Sequence, residues 1–196
     1  MKKIFIFIFF IQCISPKERE MNLINRFKLY YEAVKANDES RWTYTQDTVK
    51  VWFDDKIGNP VLRIKGEKAA GLWKAWDEEM HARSGYDSLW YDLENHTIMG
   101  HFYENNDFYE LIGKGPTHTL QTFWLTKEDK ISEILIFWIP EENTTTGIYL
   151  KPIVDWARKY DSLEINEIYS NGKILPSKEN ALRWKKLIQQ YKNAMN

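Results

Sequence analysis

The sequence has very little of the features that mark specialised protein classes. Among its 196 residues there is one cysteine, Cys13, so no disulfide can form within the chain, and no Cys-x-x-Cys or Cys/His spacing offers a structural zinc site. The 28 acidic and 27 basic side chains nearly balance, and no segment is strongly basic, so the charge expected of a protein that binds a phosphate backbone is missing. These absences exclude a disulfide-rich scaffold and argue against nucleic acid as a partner.

Aromatic side chains are abundant instead. They make up 15% of the chain and include nine tryptophans, while the hydrophobic fraction of 43% is ordinary for a globular protein. A chain of this length can bury one core without disulfides or metal ions. The large flat side chains must therefore line either that core or a cavity within it.

Residues 1–15 have the pattern of a secretory signal peptide. Met1-Lys2-Lys3 precedes eight consecutive Ile and Phe residues, which as a helix would span only about 12 Å of a bilayer core roughly 30 Å thick. The run is therefore too short for a stable transmembrane anchor. Cys13 follows closely and resembles the lipidated cysteine of a bacterial lipoprotein signal, although Gln12 stands where a small residue is usual. We expect a secreted protein of the bacterial periplasm or outer membrane whose only membrane contact is a lipid on Cys13; simple secretion and a buried or misread start are the alternatives.

The remaining sequence changes from helical to strand periodicity and then back to helical periodicity. Apolar residues recur every three or four positions from Leu23 to Val34, which predicts a first helix ending near Ala36. The elements predicted after it are a short helix at 41–46, a strand through 49–53, a helix after Gly66, antiparallel strands at 88–93, 97–103, 117–125 and 131–139, and helices at 149–160, 163–169 and from 177 onward.

This order of elements resembles the cone-shaped domain of the nuclear transport factor 2 superfamily, which includes the SnoaL-like polyketide cyclases and ketosteroid isomerase. The resemblance covers roughly residues 22–140 and implies an α+β fold in which N-terminal helices close a curved antiparallel sheet into a cone. The superfamily hosts enzymes, binding proteins and transport adaptors, so the fold alone does not settle the activity. The motifs that carry the resemblance are Phe27-x-x-Tyr30-Tyr31-x-Ala33, Asp47-x-Val49-x-Val51, Gly66-x-x-x-Ala70, the segment 102–108 and Gly113-x-Gly115-Pro116.

The resemblance also divides the mature chain. We expect the cone domain at 20–140 and a helical extension at 141–196 packed on the same core, because no repeat or low-complexity linker separates them. The strand at 131–139 is apolar on both faces toward its end, so its outer side must be covered by the rest of the chain or by a second copy in a homodimer.

The first functional hypothesis is that the cone binds a small hydrophobic or aromatic molecule, without a cofactor. A cone closed by helices leaves an apolar pocket, and the tryptophan-rich composition favours a flat or apolar ligand. The candidate ligand-binding residues are Tyr30, Trp52, Trp73, His101, Glu104 and Trp124.

The second hypothesis is an acid/base enzyme, such as an isomerase, dehydratase or cyclase. Resemblance to ketosteroid isomerase places Tyr30 at the oxyanion-hole tyrosine and Asp54 within two residues of the general base, whereas the third acid of that mechanism has no counterpart. A strand register centred near residue 111 would set Glu104 opposite His118, which adds His118 to the catalytic candidates. The competing interpretation is that Tyr30 is ordinary core and Asp54 a solvated strand end.

The third hypothesis is a protein-interaction module that uses the outer face of the sheet. A metal site is not expected, because no two histidines share one face of a helix, and the odd spacing of His96 and His101 sends them to opposite sides of a strand.

Overall fold

A computed structural model gives the fold of most of the chain. The residues it describes are 15–36, 38–54, 59–66, 71–142 and 145–195, with the side chains of 71–73 and 141 excepted. The predicted signal peptide and Cys13 lie outside these ranges. Within them, none of the helices combines the length and the apolar character needed to cross a membrane.

Within the described ranges, six α-helices and two short 3₁₀ turns flank the strands. The first helix begins where Ser15 caps it by accepting a hydrogen bond from the Glu18 amide at 3.2 Å, and Pro16 occupies the first turn, where its missing N–H costs nothing. The predicted helix at 41–46 is instead a 3₁₀ turn at Glu39–Thr43 that leads directly into a strand. The helices are α1 (Pro16–Lys35), α2 (Gly71–Glu79), α3 (Asp107–Leu111), α4 (Thr146–Tyr160), α5 (Ser162–Ile168) and α6 (Lys178–Met195).

Six strands form one curved sheet in the order β2-β1-β6-β5-β4-β3. Neighbours are antiparallel except β1 and β6, which run parallel. A separate two-stranded ribbon joins α5 to α6. The strands are β1 (Thr45–Phe53), β2 (Val61–Ile64), β3 (Arg83–Asp92), β4 (Thr97–Asn105), β5 (Thr117–Leu125), β6 (Ile131–Trp138), β7 (Tyr169–Ser170) and β8 (Lys173–Ile174).

The inner face of the sheet packs against α1. One cross-strand row on this face runs Val51, Ile134, Phe123, Ile98, Tyr91, and all five side chains are buried. Leu23, Phe27 and Tyr30 of α1 complete the same hydrophobic cluster. The apolar alternation of the strands is thus used to bury one face beneath the first helix.

The neighbouring row of side chains points to the outer face, because successive residues of a strand alternate between faces. It runs Trp52, Leu135, Thr122, Met99, Trp90 across five strands. Trp90 is 39% exposed, so at least this edge of the outer face is open to solvent.

The C-terminal extension builds a second hydrophobic cluster with α2 and α3. Trp184 of α6 is fully buried edge-on against Phe108 of α3, and Trp76 and Met80 bring the end of α2 into the same cluster. The helices of the extension thus pack on α2 and α3, which belong to the segment 20–140, and not on the α1-facing side of the sheet.

The predicted fold class is confirmed: the chain is α+β, with N-terminal helices closing a curved, largely antiparallel sheet and further helices after it. Some details of the strands differ from the prediction. Sequence periodicity missed β2, a four-residue edge strand that pairs with β1, and placed the start of β3 five residues late.

Candidate functional site

A cavity of about 950 Å³ opens between the inner face of the sheet, α1 and α2. Val49 and Ile134 of the sheet and Tyr30 and Val34 of α1 give it an apolar wall. Trp42, from the 3₁₀ turn, adds an aromatic side chain to this lining. The cone therefore contains a pocket in the size range typical of small-molecule sites, roughly 300–1,000 Å³.

Tyr30 lies on this wall with only 7% of its surface exposed. It packs against Phe27 at 5.8 Å and meets Tyr44 edge-on at 6.4 Å between ring centroids. Burial raises the pKa of Tyr30, with the charges of Arg63 and Arg41 acting against that rise. Its hydroxyl therefore keeps its proton at neutral pH and can donate a hydrogen bond into the cavity.

Thr45, at the start of β1, supplies a second polar group to the cavity. Its side chain is only 3% exposed, and its Oγ1 has no hydrogen-bond partner among the residues that the structure describes. A buried hydroxyl without a partner costs about 1–3 kcal/mol, so a ligand or water that bonds to it would gain affinity.

Three residues with carboxyl groups line the same cavity, and two of them, Asp77 of α2 and Glu104 of β4, have raised pKa values. Burial, and then the charge of Glu104, raises the pKa of Asp77 to about 6. Desolvation by the surrounding protein raises the pKa of Glu104, and the charge of Lys114 acts against that rise, although part of the Glu104 side chain is exposed. Near pH 6 Asp77 is thus a mixture of acid and carboxylate, and the pair can both donate and accept a proton.

A buried lysine, Lys114, lies near Glu104. Lys114 is 4% exposed, donates to Thr117 Oγ1 at 2.7 Å and to the Gly115 carbonyl at 3.2 Å, and lies 3.9 Å above the ring centre of Tyr109. Burial lowers the pKa of Lys114, whereas the charge of Glu104 raises it. Because Thr117 is the cross-strand partner of Glu104, this cation is held close to the carboxyl pair.

The structure places only some of the sequence-predicted residues in the cavity. Tyr30 and Glu104 line it. Trp52 and Trp124 do not, because each follows an inward residue of its strand and so points to the outer face. These two tryptophans therefore lie outside the cavity lining, and the side chain of Trp73 lies outside the described residues.

The predicted catalytic residues Asp54 and His118 are not in the cavity either. Asp54 is exposed just after β1 in a left-handed conformation, with φ of 58°, and its Oδ1 accepts from the Trp138 amide at 3.5 Å. His118 pairs across the strands with Tyr103, while Glu104 pairs with Thr117. The true register differs by one residue from the predicted one, so His118 and Glu104 lie on opposite faces and form no dyad.

His101 was predicted to bind the ligand and also lies on the outer face, two residues before Tyr103 on the same strand. Sequence reasoning did not select Asp77, Thr45 and Trp42, because these side chains carry no motif and only the folded chain brings them to one cavity.

Comparisons with known proteins give likeness of fold only. No protein-family model matches the sequence, and no curated protein matches it. A cystatin-like protein of unknown function from Methylobium petroleophilum has a TM-score of 0.48 at 13% identity, covering 65% of this chain and 81% of its own. An epoxide hydrolase/cyclase-like enzyme of salinomycin pyran ring formation scores 0.44 at 12% identity, covering 62% and 94%. A Mycobacterium tuberculosis protein, in complex with estradiol-17β-hemisuccinate, scores 0.44 at 12% identity, covering 63% and 98%. All three TM-scores lie below 0.5, so the function of this chain has to be argued from its own residues.

Proposed function

We propose that this chain binds a small hydrophobic or aromatic molecule in the cone cavity, as a secreted protein held at a bacterial membrane by a lipid on Cys13. The secretion and the lipid anchor are supported by the sequence pattern of residues 1–15. The ligand site is supported by the cavity itself, whose volume of about 950 Å³ suits a molecule of metabolite size.

The lining favours an amphipathic ligand. An apolar body would contact Val49, Ile134 and the ring of Trp42, whereas Arg41 and Arg63 line the same cavity and would attract an acidic or polar group. Thr45 Oγ1 offers a buried hydrogen-bonding atom to the part of the ligand that reaches it. An aromatic or alicyclic carboxylate combines these features.

The test is a thermal-shift and tryptophan-fluorescence screen of the purified chain against a library of aromatic and alicyclic compounds with and without a carboxylate. We expect carboxylates to bind more tightly than their neutral analogues. Trp42→Ala should weaken binding of the best compound about tenfold, or about 1.4 kcal/mol, by removing an aromatic contact.

Trp90→Ala is the matched control, because Trp90 lies on the outer face of the sheet and is 39% exposed. It should leave affinity unchanged. A library in which no compound shifts either signal, or equal effects of the two substitutions, would contradict a ligand site in the cone.

An acid/base enzyme is the second candidate function, and the carboxyl pair favours it. Asp77 and Glu104 occupy the cavity with raised pKa values, and Tyr30 offers a protonated hydroxyl on the same lining. This set replaces the predicted pairing of Tyr30 with Asp54. Chemical conversion of a bound compound, followed by mass spectrometry and lost in Asp77→Asn, would favour the enzyme over a plain binding protein.

A further inference from the structure

The outer face of the sheet carries a cluster of metal-binding side chains that is separate from the cavity. Asp87, His101 and His118 come from the neighbouring strands β3, β4 and β5. One ligand atom from each lies within 4.8 Å of the others. The two imidazole rings are stacked, with centroids 5.4 Å apart and 19° between their planes.

A β-bulge places Asp87 in this cluster. The register of β3 on β4 shifts between Tyr86 and Ser88: Tyr86 pairs with Phe102, and Ser88 pairs with His101. Asp87 is therefore the extra residue of the bulge, and its Oδ2 lies 3.1 Å from Nδ1 of His101. Bulges commonly redirect a side chain in this way beside functional sites.

A fourth side chain, Glu142, lies beside both imidazoles. Glu142, in the 3₁₀ turn after β6, has its Oε2 3.0 Å from Nε2 of His101 and 3.6 Å from Nδ1 of His118. A carboxylate that accepts from the outward nitrogen of a histidine fixes the tautomer in which the other nitrogen can bind a metal. For His101 that other nitrogen is Nδ1, which is the one beside Asp87.

The spacing of Asp87 and His101 agrees with that of two ligands around one ion, and a ligand atom of His118 lies within 4.8 Å of both. Two ligands bound at about 2.1 Å in tetrahedral geometry lie roughly 3.4 Å apart, close to the 3.1 Å between Asp87 and His101. The side chains of His101 and His118 are 24% and 25% exposed, so an ion could enter from solvent. Imidazole with carboxylate is a ligand set for divalent transition metals such as Zn²⁺, rather than for Ca²⁺ or Mg²⁺.

We propose that Asp87, His101 and His118 form a binding site for a divalent transition-metal ion of the Zn²⁺ class, with Glu142 orienting the imidazole of His101. Three protein ligands leave a tetrahedral ion one position for water or an exogenous ligand. The site lies on the opposite face of the sheet from the cavity, so it is independent of the function proposed above. The proposal differs from the sequence-based expectation of no metal site, because that expectation considered only histidines on one element.

The test is titration of the chelator-treated chain with Zn²⁺ by calorimetry and with Co²⁺ by visible absorption. We expect one ion per chain and the intense d–d bands of low-coordinate Co²⁺. His101→Ala and His118→Ala should each weaken Zn²⁺ binding at least 100-fold, and Glu142→Gln should weaken it about 10-fold, as measured for residues that orient metal-binding histidines.

His81→Ala is the matched control, because His81 also pairs with a carboxylate, Asp107, at 2.7 Å but has no further ligand in reach within the described residues. It should leave binding unchanged. Asp87→Asn, at a surface position, provides a ligand deletion that keeps the fold if a histidine variant fails to fold. No Zn²⁺ binding, or binding of equal strength in the control and in Asp87→Asn and the histidine variants, would overturn the site.

Discussion

The position of Asp77 disfavours the ionised form of its carboxyl group. Burial against the cavity wall, together with the negative charge of Glu104, moves its pKa from 3.8 to about 6. The folded chain therefore binds a proton more tightly at this carboxyl than the unfolded chain does. Between about pH 4 and pH 6 the free energy of unfolding should fall as pH rises, and above pH 6 the loss should be complete.

Asp77→Asn should remove this loss of unfolding free energy at rising pH. At pH 7 the variant should be more stable than the parent chain by about 1–2 kcal/mol, a value reduced from the full shift because Asp77 is partly in contact with solvent. At pH 4 the two should be equally stable. Urea denaturation at both pH values measures the difference.

Glu78→Gln is the control at this scale, because Glu78 is the next residue of α2 and makes an ordinary exposed pair with Lys74 at 3.5 Å. It should change stability by less than about 0.5 kcal/mol. An Asp77→Asn chain that is less stable than the parent at pH 7 would show that the carboxylate is stabilised where it lies.

At the scale of elements, β4 contributes a residue to each candidate site: Glu104 lines the cavity, and His101 belongs to the cluster on the outer face. Its residue Gly100 has no room for a side chain: a Cβ there would lie 2.6 Å from Leu89 and 2.8 Å from the Ser88 carbonyl oxygen. The glycine therefore lets β3 lie close over β4 directly beside the bulge at Asp87.

Gly100→Ala should cost about 1–3 kcal/mol of unfolding free energy, because the backbone oxygen of Ser88 cannot rotate away as a side chain can. Gly115→Ala is the matched control, since nothing lies within 4 Å of its Cβ position. Chemical denaturation of the two variants gives the comparison, and equal stabilities would mean that β3 and β4 separate readily at this point.

The same elements show what sequence patterns can and cannot give. Periodicity correctly predicted that segments 97–103 and 117–125 are strands, but it did not say which face of each strand is buried: Phe102 and Phe123 lie in the core, whereas the pocket candidate Trp124 faces outward. It could not give the register between the strands, and an error of one residue separated His118 from Glu104. The stacking of His101 on His118 and the bulge at Asp87 depend on the registers between the strands, which explains why sequence reasoning did not bring these three residues together.

At the scale of the whole molecule, the extension and the cone are joined through α2. Trp76 of α2 packs in the cluster of the extension, while Asp77, the next residue, lines the cavity. Lys185 of α6 strengthens the joint, since its Nζ lies 3.4 Å from Glu79 and 3.3 Å from Asp107. The predicted bounds of the two parts, 20–140 and 141–196, remain a prediction, but the contact between them follows the helices rather than the sheet.

Trp184→Ala should lower the free energy of unfolding by about 3–5 kcal/mol, because it removes a fully buried indole from the centre of the second cluster. Leu182→Ala, on the same helix but 49% exposed, should cost less than about 1 kcal/mol. Urea denaturation of both variants tests the difference. A small effect of Trp184→Ala would mean that the extension contributes little to the stability of the whole.

The parallel pairing of β1 with β6 also determines when the sheet can form during synthesis of the chain. Val51 meets Ile134 in the centre of the sheet, although about 80 residues lie between them along the chain. At roughly 5–20 residues per second, a ribosome leaves β1 without this partner for about 4–16 s. Until β6 emerges, β1 has an unpaired strand edge on the side that β6 later covers, so a pause in translation before residue 131 would prolong the exposure of that edge.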